Sequence, residues 1–273
     1  MPEKIIPELG NIQKTLFLPL WGRAVETQKS SPLLTDFTAL SVLEKVDYDF
    51  SQIASKIHPL TQLAWIMRGL YTDEVAGSFL KEHPSGTIVN LGCGLDTSFE
   101  RNDNGTLKWY EIDLPDVINL RNTFFKPNER RIVIPSSVLN DDWVNLIDAR
   151  KDVLFIAAGL LYYFNENEVK ALFKRIADNF INSSIICDIC SPYGAAVANK
   201  LVIKNTGLDE NSYLKWGIEN DTDILKWDNR YKILDRYFYY RHKKLKLSFK
   251  MKFYGYLADR KRIQYMIHLK LNG

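Results

Sequence analysis

The spacing of apolar and polar residues changes near Pro84. Before that point, apolar residues recur three and four positions apart in three segments. This spacing predicts three helices, over Thr15–Thr27, Leu34–Val46 and Thr61–Lys81. Thr61 is the predicted N-cap of the third helix, because a threonine hydroxyl can accept a hydrogen bond from a free amide of the first turn.

After Pro84, short runs of apolar and β-branched residues alternate with helical patterns. These runs predict five buried strands: Thr87–Leu91, Lys108–Ile112, Arg131–Pro135, Val153–Ala158 and Ser184–Ile189. The segment Glu166–Phe180 has its apolar residues on one helical face. Strands that alternate with helices predict parallel βαβ units with right-handed crossovers.

Two further strands are predicted near the end of the chain, Tyr231–Tyr239 and Ile263–Leu271. A helix or loop between them makes them an antiparallel pair. The whole pattern therefore predicts a doubly wound, Rossmann-like α/β fold, with a mostly parallel sheet and an antiparallel final strand.

The segment between those two strands permits two interpretations. Leu245–Phe253 alternates apolar residues with lysine and serine, which is typical of a strand. Phe249, Phe253 and Leu257 also fit the spacing of a helix, and the topology requires a connector here. Helix is the preferred interpretation.

Composition and charge change this picture little. The 273 residues are 46% apolar, which excludes a disordered chain. The net charge of +3 indicates no strong attraction to nucleic acid or membrane. A basic run, His242–Lys252, follows Tyr237, Tyr239 and Tyr240 and is interpreted as a solvated face.

No apolar stretch reaches the length of a membrane span, and Met1–Gln13 lacks the pattern of a secretory signal. We therefore expect a cytoplasmic protein that has neither a nucleic-acid nor a membrane partner.

The three cysteines are Cys93, Cys187 and Cys190. An odd, low count argues against a disulfide scaffold. The spacing of Cys187 and Cys190 is that of a redox motif or half a zinc site, but the chain has no second pair and only four histidines. We interpret these cysteines as small apolar residues at a strand end and expect no metal.

The segment Val89–Thr97 carries most of the functional argument. Glycines after a first parallel strand, here Gly92 and Gly94, allow positive φ and a close approach of ligand to backbone. Dinucleotide turns require a third glycine where this chain has Thr97. S-adenosylmethionine (SAM) has no phosphate, and its ammonium group is favoured by a nearby acid such as Asp96. The turn therefore favours SAM over NAD.

Two more positions at the predicted sheet edge suit a nucleoside. Asp113 ends the second strand, followed by Leu114, and its carboxylate can accept hydrogen bonds from both ribose hydroxyls. The alternative is a solvated turn aspartate before Pro115. Ser137 and Val138 follow the third strand, where adenine commonly lies against an apolar residue and a backbone amide. The alternative there is an ordinary loop.

Several motifs combine into a more specific signal. They are Thr15–Glu26, Asp47–Phe50, Arg68–Asp73, Ile88–Thr97, Trp109–Pro115 and Phe155–Phe164. Together they resemble the leucine carboxyl methyltransferase family, and in particular its bacterial branch of tetracenomycin-type polyketide O-methyltransferases. The resemblance covers most of the chain. It implies a class I SAM-dependent methyltransferase core with an N-terminal helical lid.

The resemblance also implies roles for individual residues. Gly92, Gly94 and Asp113 correspond to SAM contacts. Arg68 matches an arginine that meets the SAM carboxylate, to which a guanidinium can donate two parallel charged hydrogen bonds. Taken alone, Arg68 fits an exposed helix arginine. Arg23 is a weaker match to a basic residue that reaches the same end of the cofactor.

Two positions depart from the family pattern. Ser98 stands where an arginine usually follows the Asp-Thr pair. Ala158 stands where many members have an acid near the methionine part of SAM. The backbone carbonyls of Leu91 and Ala158 remain as acceptors for the ammonium group.

The acceptor side of the site is less well defined. Tyr162, Tyr163 and Asp188 lie at the predicted sheet edge and are predicted substrate contacts, with packing as the alternative for the tyrosines. His58 is interpreted as structural, so no catalytic base is assigned. An insert at about 191–227 either forms an apolar pocket for a flat ring or packs on the sheet. Its aromatic residues are Tyr193, Tyr213, Trp216 and Trp227.

The sequence thus predicts an O-methyltransferase that transfers a methyl group from SAM to a hydroxyl or carboxyl oxygen of a small, aromatic or polyketide-like acceptor. S-adenosylhomocysteine is the expected product. Residues 1–84 are the expected lid and 85–273 the expected core, within one compact unit. The alternatives are a methyltransferase for protein C-terminal carboxylates and a SAM-binding protein without catalysis.

Overall fold

Seven strands form one sheet in the computed structural model, which describes residues 11–47, 50, 55, 57–200 and 213–272. The strands are β1 Thr87–Leu91, β2 Lys108–Asp113, β3 Arg131–Pro135, β4 Val153–Ala157, β5 Ser184–Ile189, β6 Lys232–Tyr237 and β7 Tyr265–Lys270. Strands β1 to β5 are mutually parallel, and β7 runs antiparallel to both β5 and β6. The predicted α/β class and the antiparallel C-terminal pair are confirmed.

The order of the strands is β3-β2-β1-β4-β5-β7-β6. The chain builds outward from β1 to β3 and then returns to place β4 on the other side of β1. Thr87 of β1 lies beside both Lys108 of β2 and Val153 of β4, so the three strands begin level with one another. The loops after β1 and β4 diverge, and a crevice forms at the carboxyl ends of these two strands.

Eight helices complete the described part of the chain. They are α1 Asn11–Thr27, α2 Phe37–Lys45, α3 Pro59–Glu82, α4 Ser98–Asn102, α5 Pro115–Phe124, α6 Glu166–Asn179, α7 Pro192–Ala198 and α8 Phe249–Arg260. Short 3-10 turns lie at Asp142–Leu146, Leu161–Tyr163, Asp221–Lys226 and Tyr239–Arg241.

Each strand presents alternate residues to two apolar clusters. On one face, Ile88 packs with Trp109 and Ile156 in a cluster to which α3 contributes. On the other face, Val89 packs with Phe155 in a cluster to which α6 contributes. The sheet is therefore covered on both faces, which explains why its strands are almost continuously apolar.

One predicted detail differs in the structure, and one that had two interpretations is decided. The predicted N-cap Thr61 is wrong, because α3 begins two residues earlier at Pro59. The cap is His58, whose Nδ1 accepts a hydrogen bond from the Leu60 amide at 3.2 Å. Proline has no N–H to satisfy and its fixed φ suits the first helical position. The helix preferred within Leu245–Phe253 is confirmed from Phe249 onward.

A buried ion cluster joins β2, β3 and α5. The Glu111 carboxylate accepts hydrogen bonds from Nε of Arg121 at 2.8 Å and from Nη2 of Arg131 at 2.9 Å. Nη1 of Arg121 donates to the Gly94 carbonyl at 2.9 Å. All three charged side chains are almost fully buried. The cluster therefore links the interior of the sheet to the turn that follows β1.

Removing the carboxylate of Glu111 leaves two buried guanidinium groups without their shared partner. We expect Glu111→Ala to lower the free energy of unfolding by about 3–5 kcal/mol, as for other broken buried pairs. Urea unfolding followed by circular dichroism measures this change. Lys108→Ala, which breaks an exposed pair with Asp148, is the control and should change stability by less than about 1 kcal/mol. Equal effects of the two substitutions would contradict the role of the cluster.

A second buried carboxyl, that of Asp259, lies on the inner face of α8. Asp259 is 1% exposed, and its carboxyl lies 3.5 Å from the Tyr240 amide and 3.6 Å from Nε of Arg241. Burial raises the pKa of Asp259 from 3.8 to about 7, against the smaller effects of these two neighbours. The carboxyl also stands in the last turn of the helix, where the helix dipole disfavours a negative charge.

This raised pKa predicts a pH-dependent stability. The folded state keeps the proton of Asp259 up to about pH 7, whereas the unfolded state releases it near 3.8. The carboxyl therefore destabilises the fold increasingly as the pH rises between these values. We expect Asp259→Asn to be more stable than the parent by roughly 1–2 kcal/mol at about pH 8, with a smaller difference at about pH 5. Urea unfolding at both pH values tests this, and a pH-independent difference would refute it.

Candidate active site

A cavity of about 270 Å³ lies between the N-terminal helices and the carboxyl ends of β1 and β4. Its walls on the helical side include Leu16, Pro19 and Arg23 of α1 and Trp65, Arg68 and Thr72 of α3. Its walls on the sheet side include Gly92, Gly94, Asp96, Ala158, Tyr162, Tyr163, Ile263 and Gln264. The predicted site residues of the glycine turn, of α3 and of the loop after β4 thus meet in one place.

The turn after β1 depends on its two glycines. Gly92 and Gly94 have φ of +65° and +47°, which side chains rarely adopt. A Cβ on Gly92 would lie 2.6 Å from Cδ1 of Leu160. The Gly94 amide donates to Oδ2 of Asp113 at 2.7 Å. The turn is therefore tied to the end of β2 as well as to the Glu111 cluster.

Asp96 is an ionised carboxylate in the cavity wall. It accepts hydrogen bonds from Nδ2 of Asn90 at 2.9 Å and from the amide and hydroxyl of Ser98 at 3.2 and 3.0 Å. Burial raises its pKa, but the positive charges of Arg101, Arg23 and Arg121 outweigh burial and lower the pKa below its ordinary value. The cavity thus has a fixed negative charge next to the glycine turn.

Arg68 projects from α3 into the cavity and is held by Asp188. Its Nη2 lies 2.6 Å from Oδ2 of Asp188 and 3.2 Å from the Tyr162 hydroxyl. Burial alone lowers the pKa of Arg68, whereas the charge of Asp188 raises it well above the ordinary value. Nε of Arg68 is buried and has no hydrogen-bond partner among the described residues. The guanidinium is therefore fixed in position and retains a free donor.

Asp188 itself is fully buried behind Arg68 and does not line the cavity. Its Oδ1 accepts a hydrogen bond from the Gly159 amide at 2.5 Å, and its Oδ2 accepts one from Nε2 of Gln264 at 2.7 Å. Sequence analysis assigned Asp188 to the substrate. The structure places it where it orients Arg68.

Gly159 allows this arrangement because it has no side chain. Its φ is +81°, and a Cβ at this position would lie 2.8 Å from Nη1 of Arg68. Only glycine at this position therefore lets the backbone after β4 approach the guanidinium so closely.

A second arginine cluster lies beside the cavity, and Arg23 is its member in the cavity wall. Arg23 donates from Nε to Oδ2 of Asp36 at 2.8 Å, and Arg101 donates from Nη1 to the same oxygen at 2.9 Å. Arg101 also donates from Nε to Asp73 at 2.7 Å and from Nη2 to the Ser98 hydroxyl at 3.0 Å. Arg23, a predicted cofactor residue, is therefore already paired with Asp36.

Arg101 was not predicted as a site residue, although Ser98 was recognised as standing where the family usually has an arginine. Arg101 lies one helical turn further along α4, and its guanidinium returns to the Ser98 hydroxyl. Ser98 and Arg101 are three residues apart, a spacing that places two side chains of a helix next to each other, and this spacing could have indicated Arg101.

The predicted ribose and adenine contacts lie outside the described cavity. Asp113 is half-buried at the end of β2, and Leu114 beside it is 45% exposed. Ser137 is half-buried in the loop after β3. Val138 is buried in the core, and its carbonyl accepts a hydrogen bond from Nε1 of Trp143. These four residues stand at the carboxyl ends of the neighbouring strands β2 and β3, and these two strand ends are called the shelf.

The cavity wall shows no evident general base. Burial raises the pKa of Tyr162 well above its ordinary value and that of Tyr163 to about 12, so both phenols stay protonated near neutral pH. His58 caps α3 and does not line the cavity. Ala158 contributes no charge, which leaves Asp96 as the acid in the described wall.

The aromatic residues of the insert do not form the expected pocket. Trp216 and Trp227 pack on the apolar cluster under α6, and Tyr193 is 56% exposed. Neither they nor Tyr213 line the described cavity, whose aromatic residues are instead Trp65, Tyr162, Tyr163 and Tyr240. Packing, the alternative interpretation for the tryptophans, is confirmed.

Cys187 and Cys190 are buried, as their structural interpretation predicted, and Cys190 lines the cavity together with Cys93. Cys93, Cys187 and Cys190 are buried and form no disulfide. Burial raises the pKa of all three, to about 12 for Cys190, so they are thiols near neutral pH. The described residues contain no group of three or more potential ligand side chains that could hold a metal ion.

The family assignment follows from residues 17–177, which match the leucine carboxyl methyltransferase model. The match spans more than half of the chain and includes α3, the glycine turn, β4 and Gly159. The chain belongs to the leucine carboxyl methyltransferase family. It is therefore a SAM-dependent methyltransferase.

Two curated relatives agree with this assignment. The chain is 29% identical over 235 residues to the tetracenomycin polyketide synthesis O-methyltransferase TcmP of Streptomyces glaucescens, covering 83% of this chain and 85% of that protein. It is 28% identical over 194 residues to the S-adenosyl-L-methionine-dependent methyltransferase dpfgK of Gibberella zeae, covering 65% of this chain and 64% of the relative.

Solved structures support the fold. A candidate methyltransferase from Thermobifida fusca superposes with a TM-score of 0.61 at 13% identity, covering 92% of this chain and 94% of that one. A DUF574 family protein from Streptomyces avermitilis superposes with a TM-score of 0.60 at 8% identity, covering 94% and 96%. Among the residues that the structure describes, no helix is long and apolar enough to cross a membrane.

The close approach of Gly159 to Arg68 generates a prediction. In Gly159→Ala the new Cβ meets the guanidinium at 2.8 Å and the backbone is strained at positive φ, so Arg68 must move. We expect the dissociation constant for SAM to rise by about tenfold or more, as measured by isothermal titration calorimetry. The control is Gly77→Ala in α3, where a Cβ meets no atom within 4 Å. Unchanged affinity in Gly159→Ala would show that the position of Arg68 does not matter for the cofactor.

Proposed function

We propose that this protein is an O-methyltransferase for small acceptors that carry an acidic oxygen, with an aromatic or polyketide-like molecule as the favoured class. The observation that carries the proposal is the cavity, in which the fixed guanidinium of Arg68 and the carboxylate of Asp96 face the glycine turn beneath α1 and α3. The relative TcmP, which acts in polyketide synthesis, supports the acceptor class.

The charges of the cavity suit the methionine part of SAM. The guanidinium of Arg68 in the cavity wall suits the carboxylate, and Asp96 offers a negative charge to the ammonium group. Asp96 thus supplies the negative charge that many family members have at the position of Ala158. The carbonyls of Leu91 and Ala158 are further acceptors for the ammonium.

The shelf beside the glycine turn suits the nucleoside part. Asp113 accepts one backbone hydrogen bond on each carboxylate oxygen, from Gly94 and Leu114, and each oxygen retains a lone pair for a ribose hydroxyl. Ser137 and Val138 stand at the adjacent strand end for adenine. In this arrangement Arg23 acts indirectly, because its Nη2 donates to the Leu95 carbonyl and the Thr97 hydroxyl and so holds α1 against the turn.

When bound, SAM supplies a methyl group on sulfur, which passes in line to the acceptor oxygen and leaves S-adenosylhomocysteine. The contribution of the chain is to orient the two reactants and to exclude water, since positioning supplies much of the acceleration in such displacements. α1 and α3 cover the cavity as a lid, and Trp65, Tyr163 and Tyr240 offer apolar surface to a ring.

The chemistry of the wall restricts the acceptor. Tyr162 and Tyr163 remain protonated at neutral pH and cannot remove a proton from a phenol. An acceptor that is already ionised needs no base. This favours a carboxylate or an acidic phenol. The same argument supports the second candidate acceptor, a carboxylate at a protein C-terminus, although a cavity of about 270 Å³ favours small molecules.

Calorimetric titration of the purified protein with SAM and with NAD tests the cofactor site. We expect SAM to bind with micromolar affinity and NAD not to bind. Asp113→Ala and Arg68→Ala each remove charged hydrogen bonds and should weaken SAM binding by about tenfold to a hundredfold. Lys174→Ala, on the exposed side of α6, is the control and should bind SAM as the parent does.

Incubation with SAM and a set of acceptors, followed by mass spectrometry, tests the reaction. The set contains aromatic acids, acidic phenols and peptides with free C-terminal carboxylates. Methylated small molecules support the proposal, and methylated peptides alone would favour the second candidate. SAM binding without any methylated product would favour a non-catalytic SAM-binding protein.

A further inference from the structure

The outward face of α8 is apolar, which is unusual for a surface helix. Phe249 is 88% exposed, Phe253 and Tyr256 are each 53% exposed, and Leu257 is 36% exposed. These residues are spaced by four, three and one positions, so they form one stripe along the helix. The opposite side, with Gly255 and Asp259, is buried against the fold.

Lysines flank this stripe. Lys250 and Lys252 project on either side of it, and Lys243, Lys244 and Lys246 precede the helix. All five are exposed, and none forms an ion pair with a described residue. The sequence has no acidic residue between Asp235 and Asp259. The net charge of +3 hides this local concentration of positive charge.

We propose that the α8 face, defined as Phe249, Phe253, Tyr256 and Leu257 with the five lysines 243, 244, 246, 250 and 252, attaches the protein peripherally to membranes that contain anionic lipid. An aromatic and leucine stripe suits the boundary between headgroups and acyl chains. Lysines beside such a stripe reach the phosphates of the headgroups while their methylene chains stay at the boundary.

The charge pattern argues against two other occupants. A symmetric pair of copies that met through this face would bring two sets of five lysines together with no acid between them. A single-stranded nucleic acid would contact the lysines, but it is bound where aromatic rings stack on bases inside a basic groove. The α8 stripe projects from a helix, and Leu257 offers no ring.

The α8 face is also connected to the cavity. The chain leaves α8 at Arg260 and reaches Ile263 and Gln264, which line the cavity. Tyr240 packs against Gly255 of α8, and its ring also lines the cavity. Attachment through α8 would thus hold one cavity wall close to the membrane, and it does not depend on which acceptor the enzyme methylates.

Cosedimentation of the full chain with vesicles, in the absence of SAM, tests the proposal. We expect at least about tenfold stronger partitioning into vesicles of phosphatidylcholine with phosphatidylglycerol than into pure phosphatidylcholine, and a decrease as salt is added. Phe249→Ser combined with Phe253→Ser, and separately Lys250→Glu combined with Lys252→Glu, should each reduce this partitioning by about tenfold. Phe37→Ser, which alters a 73% exposed phenylalanine on α2, is the control and should have no effect.

Every other outcome overturns the proposal. These outcomes are no preference for anionic vesicles, equal partitioning of the parent and both double variants, or a dimer in sedimentation velocity that Phe249→Ser with Phe253→Ser dissociates. Tight binding of a mixed-sequence oligonucleotide without vesicle binding would assign the face to nucleic acid. Calorimetry with SAM shows that each variant is folded and keeps failure of this proposal separate from failure of the proposed reaction.

Discussion

The buried carboxylate of Asp188 is the contact on which the site depends. It is the penultimate residue of β5, and it receives hydrogen bonds from the turn after β4, from the residue before β7 and, as an ion pair, from Arg68 on α3. A buried carboxylate that lost one of these partners would be poorly solvated, so the four elements are constrained together. The guanidinium that faces the cavity is therefore positioned by the sheet and not by its own helix.

Two other buried ion clusters extend this arrangement around the glycine turn. Glu111 holds Arg121, which binds the Gly94 carbonyl from the sheet side. Asp36 holds Arg23 and Arg101, which connect the N-terminal helices to the opposite side of the turn. Arg101, Arg23 and Arg121 of these two clusters lie near Asp96, and their positive charges outweigh its burial and lower its pKa.

Sequence patterns predicted the strands well because a strand covered on both faces is continuously apolar and is bounded by glycine or by polar turns. They also predicted the glycine turn and the position of Asp113 at the end of β2, because both follow from local sequence; the role of Asp113 toward the ribose stays a prediction. Thr61 was wrong as a cap, because threonine chemistry alone does not show that Pro59 already suits the first helical position. Arg101 was missed although it lies one helical turn after Ser98, and the insert tryptophans were left ambiguous, since only packing decides which aromatic residue lines a cavity.

The sequence by itself determined the α/β class, the antiparallel end of the sheet, the methyltransferase family and the position of the glycine turn after β1, since these rest on periodicity and on contiguous motifs. The tertiary structure alone decided that Asp188 orients Arg68, that Arg23 is paired with Asp36, and that the stripe of α8 faces outward. These features join residues that are 13 to 120 positions apart or depend on which helical face is buried. A one-dimensional pattern contains no distances between such residues, whereas folding fixes them through burial and charge pairing.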